Sequence, residues 1–318
     1  MSRMDPSARA TRAGARAGGL LRRLTPRRAA DYATRPLRLC ARRLLPGRRG
    51  LPDFIIIGAQ KAGTTSLFRY LCAHPSVAEP LRKEVHYFDV RYRKGMRWYR
   101  SHFPPSVRLR SEGGELITGE ATANYLFDAR APGRVQETVP DVRLLALLRD
   151  PVARAHSHYR HNVRVGRETR PFEQAIDEEL AQLAGSSGGA PVRGSEQIPA
   201  AGAADPPSTS SARDRHFSYV RKGIYEVQLS RWMRIFGPEQ MLVLASRDLF
   251  GDPGRTLAEA TRFLALEPVD LGSYPVHNPG AELPLEPATE NRLRRFFDPH
   301  DVRLRESLER WRRGEAGG

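Results

Sequence analysis

The sequence predicts an α/β fold: a P-loop-like, doubly wound parallel sheet flanked by helices on both faces. Three observations carry that reading. Apolar runs of strand length, Phe54–Ile57, Leu144–Leu148 and Met241–Ala245, alternate with amphipathic helical stretches. Those runs are continuously apolar, as strands covered on both faces must be. The first run empties into a glycine-bounded loop followed by helical spacing, the unit in which backbone N–H groups and a helix N-terminus cradle an anion.

The elements follow in order. In the first loop Gly58 and Gly63 have the two-glycine spacing of a Walker A loop, but Thr64 stands where a nucleotide triphosphatase keeps its lysine. The lysine lies inside the loop, at Lys61, flanked by Ala62 and followed by three hydroxyls, Thr64, Thr65 and Ser66. That set suits a terminal anionic group that is neither a γ-phosphate nor metal-bridged. Alternation over Lys83–Asp89 puts Glu84, His86 and Phe88 on one face of a short extended piece. A carboxylate there can take the proton of an attacking hydroxyl while an imidazole orients it or offsets charge.

Leu144–Leu148 reads as the next buried strand, and Asp150-Pro151 as the cap and first turn of a helix. Ser157 falls about two turns into it, so Arg149 and Ser157 can converge on one phosphate. His156, His158 and His161 share that helix and read as cleft-rim or surface residues. Phe172–Leu183 is an amphipathic helix, and residues 184–215, rich in Gly, Ala, Ser and Pro, read as a disordered insertion. Tyr225–Phe236 places Leu229, Trp232, Met233 and Phe236 on one helical face, best read as core. Met241–Ala245 is a strand, Pro253–Leu266 a helix, and Thr289–Phe297 and Asp301–Trp311 two basic amphipathic helices.

Composition narrows the class. The chain has 318 residues and a formal charge of +16, of which +12 falls in residues 1–50, with 14 Arg against Asp5 and Asp31. That head reads as a basic disordered tail before a domain at 51–312 and a short tail at 313–318. Its Leu20–Leu45 stretch alternates Arg pairs with Leu pairs, which suits peripheral contact with an anionic membrane and equally a solvated tail. No aromatic stacking platform accompanies it, so no specific nucleic-acid partner is expected. Two cysteines, Cys40 and Cys72, make no disulfide framework, and no apolar stretch reaches the roughly 20 residues of a membrane span. The expectation is a cytoplasmic, membrane-peripheral enzyme at most, from a bacterium on its Arg, Ala, Gly and Pro richness. No cluster has metal-ligand spacing, so no metal is expected.

Taken together, the three segments resemble the sulfotransferases that use 3′-phosphoadenosine-5′-phosphosulfate (PAPS), especially the heparan sulfate glucosaminyl N- and 3-O-sulfotransferase domains and their bacterial relatives. The likeness covers most of residues 52–311. It includes Lys61, Lys83–Asp89, Trp98-Tyr99, Gly119–Phe127, Arg149 with Ser157, and Gly223-Ile224-Tyr225 with Gln228, Leu229 and Trp232. It implies PAPS as co-substrate, with Lys61, Ala62, Gly63, Thr64, Thr65 and Ser66 at the 5′-phosphosulfate. Arg149 and Ser157 would take the 3′-phosphate, and Arg221, Lys222, Gly223 and Tyr225 would lie near the nucleotide. Glu84 would be the general base, with Lys61 and His86 around the transferring group. Two departures weigh against heparan sulfate as acceptor: Ala121 stands where those enzymes have a lysine, and the stretch from about His277 to Pro287 lacks their cysteine pair. The expected acceptor is a hydroxyl, secondarily an amine, of a carbohydrate, glycolipid or other small molecule. A nucleotide or small-molecule kinase with an altered loop and a non-catalytic polyanion binder are the rival readings.

Overall fold

β1 (Phe54–Gly58) is buried at every position and lies at the centre of a five-stranded sheet. The computed structural model describes residues 50–105, 110–111, 114–186, 216–277 and 285–315. Residues 1–49 of the expected basic tail, 187–215 of the expected insertion and 316–318 lie outside the described residues. The strand order is β2 (Val77–Ala78), β5 (Ile117–Ala121), β1, β6 (Arg143–Leu148), β7 (Met241–Ala245), with every pairing parallel. Phe54 stands opposite Gly119 on one side and Arg143 on the other. A separate two-stranded pair, β3 (Arg110–Ser111) and β4 (Gly114–Glu115), is antiparallel.

This order makes β1 a switch point. After β1 the chain fills the side of β2 and β5, then crosses to build β6 and β7 on the other. Loops leaving β1 and β6 therefore diverge and leave a crevice at the carboxyl ends of the strands, where doubly wound folds bind ligands. Leu144–Leu147 of β6 are fully buried, which accounts for the unbroken apolar run.

The helices that carry the loops start as their sequences dictate. α1 (Thr64–Ala73) follows Gly63, whose φ of 100° is open to glycine at little cost. α2 is Gly95–Arg100 and α3 Ala131–Thr138. α4 (Pro151–Arg164) has Pro151 in its first turn and Asp150 Oδ1 accepting the Ala153 N–H at 2.7 Å. α5 (Phe172–Ser186), α6 (Tyr225–Met233), α7 (Ser246–Gly251), α8 (Pro253–Phe263) and α9 (Pro287–Arg312) complete the described elements. α1 packs with α8, while α9 packs on α4 and α6.

One face of α1 clasps the segment before residue 278. Ser66 Oγ accepts the His277 N–H at 3.0 Å, Tyr70 donates to the Pro275 carbonyl at 3.1 Å, and His74 Nε2 donates to the Glu267 carbonyl at 2.8 Å. The three side chains are four residues apart and so stack along one helix face.

The two expected C-terminal helices are a single helix, α9, which runs through Pro299. Proline inside a helix costs roughly 3 kcal/mol and one hydrogen bond. Here Leu293, Phe297, Leu304, Leu308 and Trp311 form one buried stripe across the interruption, and Trp311 Nε1 donates to the Phe236 carbonyl at 3.1 Å. Packing on both halves outweighs the local break. The Tyr225–Phe236 stripe is core, with Leu229, Trp232 and Phe236 fully buried. No described helix is long and apolar enough to cross a membrane.

Gly58 ends β1 against neighbours with no room for a side chain: a Cβ there would lie 2.6 Å from Leu126 Cβ. Gly58→Ala is expected to destabilise the protein by about 1–3 kcal/mol through overpacking. A shift in the urea midpoint reads this out, and an unchanged midpoint would show that the loop gives way freely.

Candidate active site

The β1–α1 loop is the floor of the site. Its turn closes with Ala62 N–H donating to the Ala59 carbonyl at 3.1 Å. Among the described residues, no protein acceptor meets the N–H groups of Gln60, Lys61, Gly63, Thr64 or Thr65. Such a row of free donors at a helix start is an anion cradle. Lys61 sits left-handed, with φ 72°. Burial, and the charges of Arg164 and Arg149, push its ammonium down from its usual range, while Glu84 opposes them.

The β6–α4 loop is bound directly to this floor. Arg149 Nη1 donates to the Lys61 carbonyl at 3.1 Å, so the two expected anion subsites share a wall. Ser157 is partly open on α4. The turn at Arg221–Gly223 joins them, with Lys222 Nζ donating to Gln60 Oε1 at 2.9 Å and lying 5.2 Å from the Phe127 ring centroid. Gly223 packs where a Cβ would meet the Phe297 ring at 2.8 Å and Pro151 Cβ at 3.1 Å. Arg221 gives its N–H to Glu179 Oε1 at 2.8 Å, and its side chain is partly open. Tyr225 is buried, its hydroxyl makes no close hydrogen bond among the described residues, and burial pushes it up to about 12 against the pull of Arg154 and of the nearby Arg149 backbone. A buried hydroxyl so weakly satisfied beside Arg149 fits a ligand better than it fits an apolar core.

The three hydroxyls after Gly63 do not converge. Successive helical residues are separated by about 100°, so the loop can receive one or two of them but not all. Thr65 is partly open and Thr64 nearly covered, whereas Ser66 is fully buried and holds His277. Ser66, expected at the anion, is the most deeply buried of the three, and its side chain braces the segment packed on α1.

Glu84 and His86 do come together, by a different route from strand alternation. Residues 83–86 form no strand, although the Lys83 carbonyl accepts the Ala121 N–H at 3.3 Å. His86 is left-handed, with φ 57°, and a π-helical turn, Tyr87–Arg91, begins immediately after it. That reversal sends Phe88 into the core beside Tyr99 and Tyr125, away from the face it was expected to share.

His86 lies between two carboxylates, with Nδ1 2.8 Å from Asp89 Oδ2 and Nε2 3.7 Å from Glu84 Oε2. Burial pushes the imidazole down, but Asp89 and Glu84 together lift it to about 9, so it is an imidazolium at neutral pH. Lys83 Nζ also donates to Glu84 Oε1 at 3.1 Å. Burial pushes the Glu84 carboxyl up, yet His86 and Lys83 hold it well below the usual carboxylate range. Glu84 keeps 47% of its side chain open, so an ionised acceptor of protons faces solvent beside the lysine loop.

The family described as a sulfotransferase domain matches residues 51–271. This chain belongs to that family. Human heparan sulfate glucosamine 3-O-sulfotransferase 6 is 32% identical over 224 residues, covering 70% of this chain and 55% of the relative. The membrane-associated sulfotransferase kil1 of Dictyostelium discoideum is 27% identical over 82% of this chain and 66% of its own length. A crystal structure of a sulfotransferase from Alicyclobacillus acidocaldarius superposes with a TM-score of 0.58 at 27% identity, covering 80% of this chain and 94% of the other. Sulfotransferases of the family generally use PAPS. The chain thus spans about half to two-thirds of the length of these curated relatives.

This sulfotransferase domain also contains site residues that sequence reasoning left without a role. Asp89 is fully buried, and Asn124 Nδ2 donates to it at 3.1 Å while it accepts from His86. The three-residue spacing from His86 to Asp89 was the available signal. Arg164 and His161 reach the site from α4: burial and the neighbouring cations Lys61 and Arg164 push His161 down to about 4. His158 is buried, correcting its expected place on the rim or surface, and burial among Lys222 and Arg154 pushes it well below its ordinary range.

Because the folded state raises His86, the stability this residue contributes is complete below about 6.5 and is lost as pH rises towards about 9. Asp89→Asn is expected to bring the His86 titration down toward its ordinary value and to cost stability at neutral pH. Titration of the imidazole resonances by NMR measures this, and an unmoved His86 would place its support elsewhere.

Proposed function

We propose that the chain transfers the sulfuryl group of PAPS to a hydroxyl, secondarily an amine, of a carbohydrate, glycolipid or other small acceptor. The observation that carries the reading is the ionised Glu84 beside a lysine loop of free N–H groups that Arg149 binds at its carbonyl. A protein that only held polyanions would gain nothing from an open carboxylate there, since it repels the ligand.

The acceptor oxygen attacks sulfur in line, its O–H bond breaks toward a Glu84 carboxylate oxygen, and the bond from sulfur to the bridging phosphate oxygen breaks. That oxygen keeps the electron pair and leaves on adenosine 3′,5′-bisphosphate. Negative charge grows there, where the Lys61 ammonium and the loop N–H groups can stabilise it. The His86 imidazolium offsets the charge on Glu84 before transfer and on the reacting oxygens during it. Arg149, Ser157 and the buried Tyr225 hydroxyl would hold the 3′-phosphate end, with Lys222 and Arg221 closing the nucleotide side. The proposed setting is a bacterial cytoplasm, with the Arg-rich residues 1–50 touching an anionic membrane surface. Their composition supports that contact, as does the membrane-associated name of one relative.

Titration calorimetry should show adenosine 3′,5′-bisphosphate binding without magnesium and more tightly than ATP. Binding that requires magnesium and favours ATP would replace this reading with a kinase. Glu84→Gln should lower kcat by about 10²–10⁴-fold, the usual worth of a general base, at nearly unchanged nucleotide affinity. Normal turnover in that variant would exclude Glu84 as the base. Arg149→Ala should weaken the bisphosphate about 10–100-fold, as expected for lost charge-assisted contacts, and adenosine 5′-phosphate far less. Equal losses for the two nucleotides would make Arg149 a purely structural residue.

A further inference from the structure

Glu120 lies fully buried on β5, and the transfer step above makes no use of it. Its Oε1 accepts the Tyr99 hydroxyl at 2.6 Å and the Tyr125 hydroxyl at 3.2 Å, and its Oε2 accepts the Thr122 hydroxyl at 2.8 Å. Two of those hydroxyls face the segment that carries Glu84 and His86. Thr122 Oγ1 accepts the His86 N–H at 3.3 Å, and the Tyr125 oxygen accepts those of Tyr87 at 2.8 Å and Phe88 at 3.4 Å. A hydroxyl owns a single proton, so each is free to accept from the backbone because its own proton points at Glu120. The N–H groups involved open the π-helical turn and have no partner within it.

We propose that Glu120 is a positioning residue for the acceptor-activating pair. Its carboxylate, through Thr122 and Tyr125, fixes the backbone at residues 86–88 and so holds the left-handed His86 between Glu84 and Asp89. The effect on turnover rests on the reading of Glu84 as the base; the effect on the backbone does not.

Two further observations support this role. Burying a carboxylate is unfavourable, and an apolar side chain would fill a merely structural slot at lower cost. Burial pushes Glu120 up to about 7, while Tyr99 from α2, Thr122 and Tyr125 from its own strand's continuation, and the charge of His86 pull it back. In addition, Tyr99 stacks on Tyr87 with ring centroids 4.3 Å apart and planes 9° from parallel. The group that donates to Glu120 from α2 therefore also presses on the turn that Glu120 organises.

Glu120→Gln is the decisive variant, because an amide replaces one acceptor oxygen by a donor and forces at least one hydroxyl to turn. Amide hydrogen exchange at His86, Tyr87 and Phe88 should quicken about tenfold, the equivalent of about 1.4 kcal/mol. The kcat should fall about 10–100-fold, as for a small misplacement of reacting groups, with affinity for adenosine 3′,5′-bisphosphate within about twofold. Tyr125→Phe keeps the ring packing and should reproduce the exchange at Tyr87 and Phe88, which covers the case of a Gln variant that fails to fold. In a Glu84→Gln background, adding Glu120→Gln should lower kcat no further. Unchanged exchange at 86–88, or a further full loss in that background, would overturn the proposal. Faster exchange together with normal turnover of Glu84→Gln would sink the base assignment alone and leave the positioning role standing.

Discussion

Lys61 occupies a backbone conformation that costs a non-glycine residue roughly 1–2 kcal/mol, and the site is organised by whatever keeps it there. The hold comes from both strands that meet at the switch point. β1 delivers the loop through Gly58, packed against Leu126, and β6 delivers Arg149, whose guanidinium takes the Lys61 carbonyl. With its carbonyl tied back, the loop turns its N–H groups outward. The same bond keeps a cation at the edge of the crevice, so geometry and field are set together.

Charge is distributed unevenly around that crevice. On the loop side burial, Arg164 and Arg149 push the Lys61 ammonium down, and on the opposite side Glu84 and Asp89 bracket an imidazolium. Glu84 belongs to both groups, since it stabilises the Lys61 ammonium and is itself held ionised by His86 and Lys83. In the proposed function a nucleotide carrying several negative charges would satisfy the first group, and a neutral hydroxyl would be the acceptor that the second activates without charge repulsion.

Much of this was readable from residues alone, for identifiable reasons. β1, β6 and β7 show as apolar runs because their burial is two-sided, and the start of α4 shows because Asp150 and Pro151 act locally. The Lys61 loop and the place of Arg149 at the end of β6 follow from those elements. What stayed hidden depends on contacts between distant segments. The turn at His86 takes its shape from Thr122 and Tyr125, more than thirty residues away, so alternation misread it as extended. Ser66 looks like its neighbours Thr64 and Thr65 until His277 claims it. Pro299 looks like a helix end until the stripe from Leu293 to Trp311 is seen to pack as one.

The side chains of Ser66, Tyr70 and His74 give α1 a second duty besides presenting its first turn to the crevice. One helix thereby acts as a rod with a phosphate loop at its head and a peptide segment strapped along its flank. Inserting a single residue into that rod would swing every later side chain by about 100° and undo the strap. An insertion in an exposed connection adds only a small closure entropy. The length of this helix is accordingly among the least negotiable quantities in the molecule.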